Sequence, residues 1–381
     1  KSRRIWQLVF GLLGKQMAKL FIDGLSAPNA IKAQLRVLSR DIEFSREVTK
    51  GANGYLYFGT NRILNTKVAV KFYYWGGDIR FHAEPSALAR LVGDNILSIQ
   101  NAGLLDGEWA YFVTAFCRNG DLDDLLDSSS IGNIEAVERT CQLLSGVGVL
   151  HEHRYVHRDL KPANIYVGDN SQSIIGDFGS IKYIPNGQSS IPASSHAVLY
   201  RPPESVESNS YGFEGDIYQC GLVLFQLLGG SLPYDETSWL NRSERKTYNE
   251  LTNDDDRSIY ADQCIKAKII RGRIVDISTL PPWVPDVLKR TIRKATHVDP
   301  TKRFRSISAF HANLNNSRAR IPDWCVTDGE PHLRGHPQFK VREENGIYCV
   351  VKSRDGANWR RDNSFQGTGI DELVNEIAGR S

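Results

Sequence analysis

The densest chemistry in the chain lies in one short span. His157-Arg158-Asp159-Leu160-Lys161-Pro162-Ala163-Asn164 is followed, thirteen residues past the asparagine, by Asp177-Phe178-Gly179. A carboxylate base, a cation and two oxygen ligands at this spacing suit phosphoryl transfer from ATP. In-line attack by a hydroxyl needs an acceptor for its proton and an alignment point, which Asp159 supplies, while Lys161 neutralises charge on the transferring group. Magnesium is a hard ion that takes oxygen ligands, so Asp177 and the amide oxygen of Asn164 are the right types to hold it against phosphates. Either triplet alone arises by chance in long sequences. Their order and spacing together carry the signal, against a plainer reading of Asp159 and Asp177 as loop-capping carboxylates and Asn164 as a turn residue.

The two strings resemble the catalytic and metal-binding loops of the protein kinase family, and the family's other landmarks follow in order. Upstream, Val68-Ala69-Val70-Lys71 ends an alternating apolar run and reads as a strand presenting one lysine. By resemblance Lys71 pairs with the α- and β-phosphates and Ala69 lines the nucleotide site. Ahead of it, Gly51-Ala52-Asn53-Gly54-Tyr55-Leu56 matches the later part of the glycine-rich phosphate loop, with Thr49 where the first glycine is expected. Small residues such as Gly51 and Gly54 let backbone amides approach phosphate oxygens closely. Glu84 is the candidate carboxylate that orients Lys71. Pro85 follows it directly, and proline is tolerated in a first helical turn but not in a helix interior, so the helix is expected to start near Glu84 or to kink there.

Ala110 to Cys117 reads as a buried strand that leads into Asn119-Gly120-Asp121-Leu122, a turn followed by a helix. The resemblance makes this the hinge, with Thr114 as gatekeeper, the backbones of Ala115 and Cys117 facing the adenine edge, Leu56 above it, and Tyr166 at the floor where an aliphatic residue is common. Residues 180 to 200 carry Ser180, Ser189, Ser190, Ser194 and Ser195 and run into Tyr200-Arg201-Pro202-Pro203-Glu204. This is similar to an activation segment, in which Arg158 binds a phosphate on one of the serines, since an arginine fork matches phosphate oxygens. Asp216 resembles the buried aspartate that anchors the catalytic loop, heading an apolar helix to Leu228. Arg303 resembles the family's partner for Glu204. Lys161 favours serine or threonine as acceptor, although Ala197 stands where many such kinases have a threonine.

Bulk properties and the chain ends complete the expectation. The 381 residues include 47 Lys and Arg against 44 Asp and Glu, too balanced to imply nucleic-acid binding, and six cysteines lie far apart without metal-like pairing. A reducing, cytoplasmic setting fits them better than a disulfide framework. Residues 1–43 are read as a basic extension in which Ile5, Trp6, Val9, Leu12, Leu13, Met17, Leu20 and Phe21 make an amphipathic helix that packs on the kinase lobe or a partner, in preference to a membrane surface. The stretch from Asp235 to Asp262, with Asp254-Asp255-Asp256, reads as a solvated loop in preference to a substrate-docking surface. Residues 319–381 read as a small docking or regulatory module, or a satellite packed on the large lobe. It has a hairpin turning at Asn345-Gly346, a second turn at Asp355-Gly356 before Trp359, and a last helix with Thr368 as cap.

The resulting expectation is an α+β, two-lobed protein kinase fold, with a β-rich small lobe (44–114) and a helical large lobe (118–318) and ATP and Mg2+ between them. Its expected activity is transfer of the γ-phosphoryl group to serine or threonine of protein substrates, with autophosphorylation in the activation segment. The rival is a pseudokinase that uses the fold as a nucleotide-binding switch, which loss of Lys71, Asp159 or Asp177 would have favoured.

Overall fold

The computed structural model describes residues 20–48, 54–105, 108–128, 131–193 and 198–380, and the chain divides into two compact units. The first comprises Lys1–Asp124 and Ala163–Tyr183, the second Leu125–Pro162 and Ile184–Ser381. Of the expected N-terminal amphipathic helix, only Leu20 and Phe21 are described; its other apolar residues, with Thr49, Gly51, Ser194, Ser195 and Ala197, lie outside the described residues.

In the first unit, strands β1 (Ile42–Val48), β2 (Gly54–Asn61), β3 (Thr66–Tyr74), β4 (Ile99–Leu104) and β5 (Trp109–Ala115) form an antiparallel sheet in the order β1-β2-β3-β5-β4. Strand β3 shows why the sheet has two different faces. Successive side chains alternate across a sheet, so Val68, Val70 and Phe72 are buried on one side, while Ala69, Lys71 and Tyr73 look to the other. Helix α1 (Asn29–Leu38) closes the apolar side with Ile31 and Leu35, one turn apart and both fully buried against Phe44, Tyr57, Val70 and Phe72. Each such side chain contributes about 1.5–3 kcal/mol by leaving water. Helix α2 (Ala83–Arg90) begins one residue before Glu84, so Pro85 falls in its first turn, where its missing N–H costs nothing. The hairpin of β6 (Ile165–Val167) and β7 (Ser173–Ile175) belongs to the same unit: the Val167 amide donates to Gly120 O at 2.8 Å and that of Leu97 to Ile175 O at 2.9 Å. Helix α3 (Leu122–Ser128) follows the Asn119–Asp121 turn.

The second unit is built on α4 (Asn133–Glu152), α5 (Pro203–Glu207) and α6 (Phe213–Leu227), with a short ladder of β8 (Ser190–Pro192) and β9 (Ser210–Gly212). Every residue of α6 from Gly215 to Leu227 is buried, the mark of a helix enclosed on all sides. It starts three residues earlier than expected, which puts Asp216 inside the first turn rather than at the head.

The polar stretch 235–262 is not a loop. It forms most of helices α7 (Arg242–Glu250) and α8 (Asp254–Ile270). Asn241 and Glu244 make a reciprocal capping box at 2.9 and 2.8 Å, and the run Asp254-Asp255-Asp256 fills the first turn of α8, where carboxylates meet the positive end of the helix dipole. Ala261, Ile265 and Ile269 give α8 its buried stripe. Helices α9 (Asp286–Ala295) and α10 (Ile307–Ser317) complete the helical part.

Residues beyond 320 fold as an antiparallel meander of five strands, β10 (Trp324–Thr327), β11 (Glu330–Leu333), β12 (Gln338–Glu344), β13 (Ile347–Ser353) and β14 (Arg360–Arg361), with α11 (Ile370–Arg380) packed on β12 and β13. Asn345 and Gly346 both take positive φ, 53° and 78°, the geometry of a two-residue hairpin turn that matches strand twist. Thr368 is not the acceptor cap of α11, which starts at Ile370. Its amide and hydroxyl instead donate to the Glu372 carboxylate at 2.7 and 3.1 Å. The meander is joined to the helical part of its unit. Trp324, fully buried, stacks on Trp283 with ring centres 6.4 Å apart, and the Asn133 amide donates to Trp283 O and Pro322 O at 3.0 and 3.1 Å.

Candidate active site

In the first unit, Lys71 Nζ donates to Glu84 Oε2 at 2.6 Å. Strand β3 fixes the lysine by pairing it with Leu56 on one side and Phe112 on the other, and the first turn of α2 delivers the carboxylate. Burial disfavours the lysine's charge, but the carboxylates of Glu84 and Asp177 outweigh it and hold the ammonium above its ordinary range. Lys71 is therefore a cation at neutral pH. Gly54 of β2 pairs with Tyr73 of β3, and a Cβ there would lie 2.0 Å from Phe72 O, so only glycine allows the two strands to meet at this end of their ladder.

Asn164 and Asp177 are brought together by the main chain: the Gly176 amide donates to Asn164 O at 3.0 Å. Asn164 is buried, whereas Asp177 is exposed and adopts a left-handed backbone, φ 52° and ψ 66°, ahead of the short turn Phe178–Ser180. Few side chains accept that conformation, and aspartate is among those that do. Two oxygen donors presented in this way suit a hard divalent cation that keeps phosphate and water ligands as well. Among the described residues no group of three His, Cys, Asp or Glu forms a metal cage by itself.

Thr114 is buried and pairs with Ala69 across the β3–β5 ladder, and Ala115 pairs with Val68. Cys117 is buried, which pushes its thiol up to about 11 and keeps it protonated. The segment after it is tied to the β6–β7 hairpin, with Asn119 Nδ2 donating to Gly168 O at 2.8 Å and Arg118 forking onto Asp169 at 2.8 and 3.0 Å. Tyr166 lies in that hairpin, bridged to Asp121, and its ring rests on Gly176, where a Cβ would come within 2.2 Å of it. Burial, with Asp177, Glu84 and Asp121 nearby, pushes its phenol far above the usual range. Asp121 was read only as part of a turn. Its buried carboxylate caps α3 by accepting from the amides of Asp123 and Asp124 at 2.9 and 3.0 Å, and burial pushes it up to about 7. An aspartate just before a helical run is a cap signal, so this role was legible.

In the second unit, Lys161 Nζ donates to Asp159 Oδ2 at 2.8 Å. The loop that carries both is suspended from α6. Asp216 Oδ2 accepts from the His157 amide at 2.9 Å and faces His151 Nε2 at 2.9 Å; Oδ1 accepts from the Arg158 amide at 3.0 Å and the Tyr211 hydroxyl at 2.8 Å. Burial opposes ionisation of Asp216, but these bonds outweigh it and the carboxyl titrates below its ordinary range. Gln219 stands three residues on, on the same face of α6. Its Oε1 accepts from the Leu160 amide at 2.9 Å and its Nε2 donates to Tyr200 O at 3.1 Å, joining the catalytic loop to the end of the serine-bearing segment. A glutamine one turn past Asp216, within a mostly apolar helix, is the available signal. Arg158, on a left-handed backbone with φ 69°, donates through Nη1 to Pro192 O at 3.2 Å. Ser189 is exposed, and Ser190 is half-buried opposite Gly212 in the β8–β9 ladder. Arg303 forks onto Glu204 with two bonds of 2.7 Å and also reaches Glu214 O and His297 O at 2.8 and 2.7 Å.

The model of the family described as protein kinase domain matches residues 42–314, and the chain belongs to that family. Among its relatives, the probable serine/threonine-protein kinase PknB of Lactococcus lactis is 27% identical over 316 residues, covering 79% of this chain and 46% of the relative. A probable serine/threonine-protein kinase of Clostridium acetobutylicum is 30% identical over 321 residues, covering 81% and 44%. The serine/threonine-protein kinase SIK2 of Gallus gallus is 28% identical over 333 residues, covering 84% and 36%. The chain thus spans less than half the length of each of these relatives.

Proposed function

We propose that the chain is an ATP-dependent protein kinase that phosphorylates serine or threonine. The observation that carries this reading is the Lys71–Glu84 ion pair of 2.6 Å, formed in the same unit whose main chain ties Asn164 to Gly176, the residue before Asp177. A chain serving only as a scaffold has no need to keep a charged lysine pre-oriented in this way. In this reading Lys71 binds the α- and β-phosphates, and the strand end at Gly54 lets main-chain amides approach them. Asn164 and Asp177 hold Mg2+, which when bound neutralises charge on the phosphates. Asp159 aligns the acceptor hydroxyl and takes its proton, and Lys161, already directed at Asp159, steadies the transferring phosphoryl. Ala69, Thr114, Ala115, Cys117 and Tyr166 form the purine side of the site. The relatives named above are called serine/threonine-protein kinases, which supports the acceptor class. No helix among the described residues is long and apolar enough to cross a membrane, and the six cysteines are all free thiols, as a reducing compartment would keep them.

Incorporation of label from radiolabelled ATP into a serine peptide, compared for wild type, Asp159→Ala and Asp177→Asn, tests the assignment. Incorporation by wild type alone supports it. Equal incorporation by all three proteins would remove Asp159 and Asp177 from the chemistry.

A further inference from the structure

Within the segment that follows the Asp177-Phe178-Gly179 turn, Ile184–Gln188 is held through its main chain by an arginine that the proposed chemistry does not use. Arg154 follows the C-terminal end of α4. Its Nε donates to Ile184 O at 2.9 Å, and its Nη2 donates to Pro185 O at 3.0 Å and to Gln188 O at 2.9 Å. Pro185 and Gln188 are the two ends of a tight turn, closed by the Gln188 amide on Pro185 O at 3.0 Å and passing through Gly187 at φ 82°. The guanidinium therefore staples both ends of that turn. The main chain adds a reciprocal bond, from the Ile184 amide to Arg154 O at 2.8 Å, and the aromatic face of Phe213 lies 5.8 Å from the guanidinium carbon. The turn then feeds directly into β8, whose Ile191 pairs with Tyr211, the residue that also donates to Asp216.

Arg154 holds this position on a left-handed backbone, φ 61°. For any residue but glycine, and to a lesser degree asparagine or aspartate, that conformation is strained, so a residue serving only to end the helix would be better chosen as glycine. The strain is retained where the side chain has work to do. All the acceptors are main-chain carbonyls, so this hold needs no charge on any serine of the segment.

We propose that Arg154 is a positioning residue that keeps Ile184–Pro192 in place through its backbone, so that peptide phosphorylation does not wait for a phosphate on the serines between 180 and 195. The proposal rests on the kinase reading given above. Serines there can still become phosphorylated, but the charge is not what orders the segment.

Full-length wild type, Arg154→Gly and Arg154→Lys, each treated with a serine/threonine phosphatase and verified by mass spectrometry to carry no phosphate in 180–195, are compared by amide hydrogen exchange and by peptide kinetics. In wild type, Ile184–Pro192 should be protected and the serine peptide phosphorylated without a lag. Glycine relieves the left-handed backbone, so a merely structural role predicts equal or greater thermal stability with unchanged exchange. The proposal expects instead exchange faster by about tenfold or more, confined to 184–192, and kcat/KM for the peptide lower by a similar factor, with ATP affinity unchanged. Arg154→Lys should fall between the two, because one ammonium cannot span Ile184 O and Gln188 O. Wild-type exchange in Arg154→Gly, or dephosphorylated wild type that exchanges freely at 184–192, overturns the proposal. Absence of peptide turnover in every protein, wild type included, would speak against the kinase reading, while the exchange data would still decide the role of Arg154.

Discussion

Replacing Asp216 by asparagine probes the suspension of the catalytic loop without changing its shape. The carboxylate receives two main-chain amides on different oxygens, His157 N on Oδ2 at 2.9 Å and Arg158 N on Oδ1 at 3.0 Å. An asparagine keeps only one oxygen. Whichever way its amide turns, an NH2 group faces one of those N–H donors, and that donor loses its carboxylate acceptor in a buried or half-buried site. That alone costs about 1–3 kcal/mol, and loss of the charge weakens the surviving bonds by roughly 1 kcal/mol more. At roughly 2–4 °C per kcal/mol for a unit of this size, the melting temperature should fall by about 4–16 °C. The effect on rate should be larger than that on binding. Asp159 lies two residues from His157, and a misplacement on the order of 1 Å costs about a hundredfold in kcat with little change in the KM for ATP. The pH dependence provides an independent check. Because the folded-state pKa of Asp216 lies below its ordinary value, the group contributes stability that is complete above that value and is lost as pH falls through the folded pKa. Melting curves of wild type and Asp216→Asn should therefore converge in acid and separate towards neutrality. Calorimetry from pH 3 to pH 8 and the labelled-ATP assay read both effects. An Asp216→Asn protein that melts with wild type at neutral pH and keeps its kcat would refute the suspension argument.

Other outcomes follow from the same geometry. Arg303→Ala leaves Glu204 partnerless beneath the Pro202-Pro203-Glu204 turn and should lower stability by about 3–5 kcal/mol, read by urea denaturation; Arg303→Lys, which cannot make the two-point fork, should recover only part of that. Asp121 titrates at about 7 when folded against an ordinary value of 3.8, so stability should decline as pH rises between those values; Asp121→Asn, which keeps a carbonyl to cap α3, should flatten that dependence and melt higher than wild type at pH 8, with an upper limit on the order of 4 kcal/mol. Lys71→Met should abolish peptide phosphorylation while α2 keeps its place, and Glu84→Gln should weaken it by about 10–100-fold, measured as kcat. Trp324→Ala removes the ring stacked on Trp283 and should destabilise the second unit by about 3–5 kcal/mol in calorimetry; two separate transitions would show that the terminal meander melts on its own.

Much of the candidate site was legible because its parts are local in sequence. The Asp159-to-Asp177 span, the lysine on an alternating strand and the aspartate at the start of an apolar helix each carry their meaning in neighbouring residues. The Asn345-Gly346 hairpin was legible for the same reason, since its turn type demands those residues. The equivalent signal at Asp328-Gly329, where both residues also take positive φ, passed unread, and with it the β10–β11 hairpin that widens the meander to five strands. Charge misled the reading of 235–262. Three successive aspartates read as solvated loop when counted, but they are favourable when they fill a helix's first turn, and the stripe Ala261, Ile265 and Ile269 was the countervailing evidence.

Sequence by itself determined the chemistry: which side chains are present, in what order, and therefore which family the chain joins. It could do so because a strand's alternation, a helix's cap and a motif's spacing are short-range properties of the backbone. What only the tertiary structure decided is which distant groups hold those side chains still. Arg154 reaching over Ile184, Pro185 and Gln188, Gln219 joining Leu160 to Tyr200, and Asn133 bridging Trp283 to Pro322 pair donors and acceptors up to 189 residues apart. Such partners are chosen by what the fold brings within reach, under the pressure to pair polar groups that folding takes from water, and no local pattern encodes that choice.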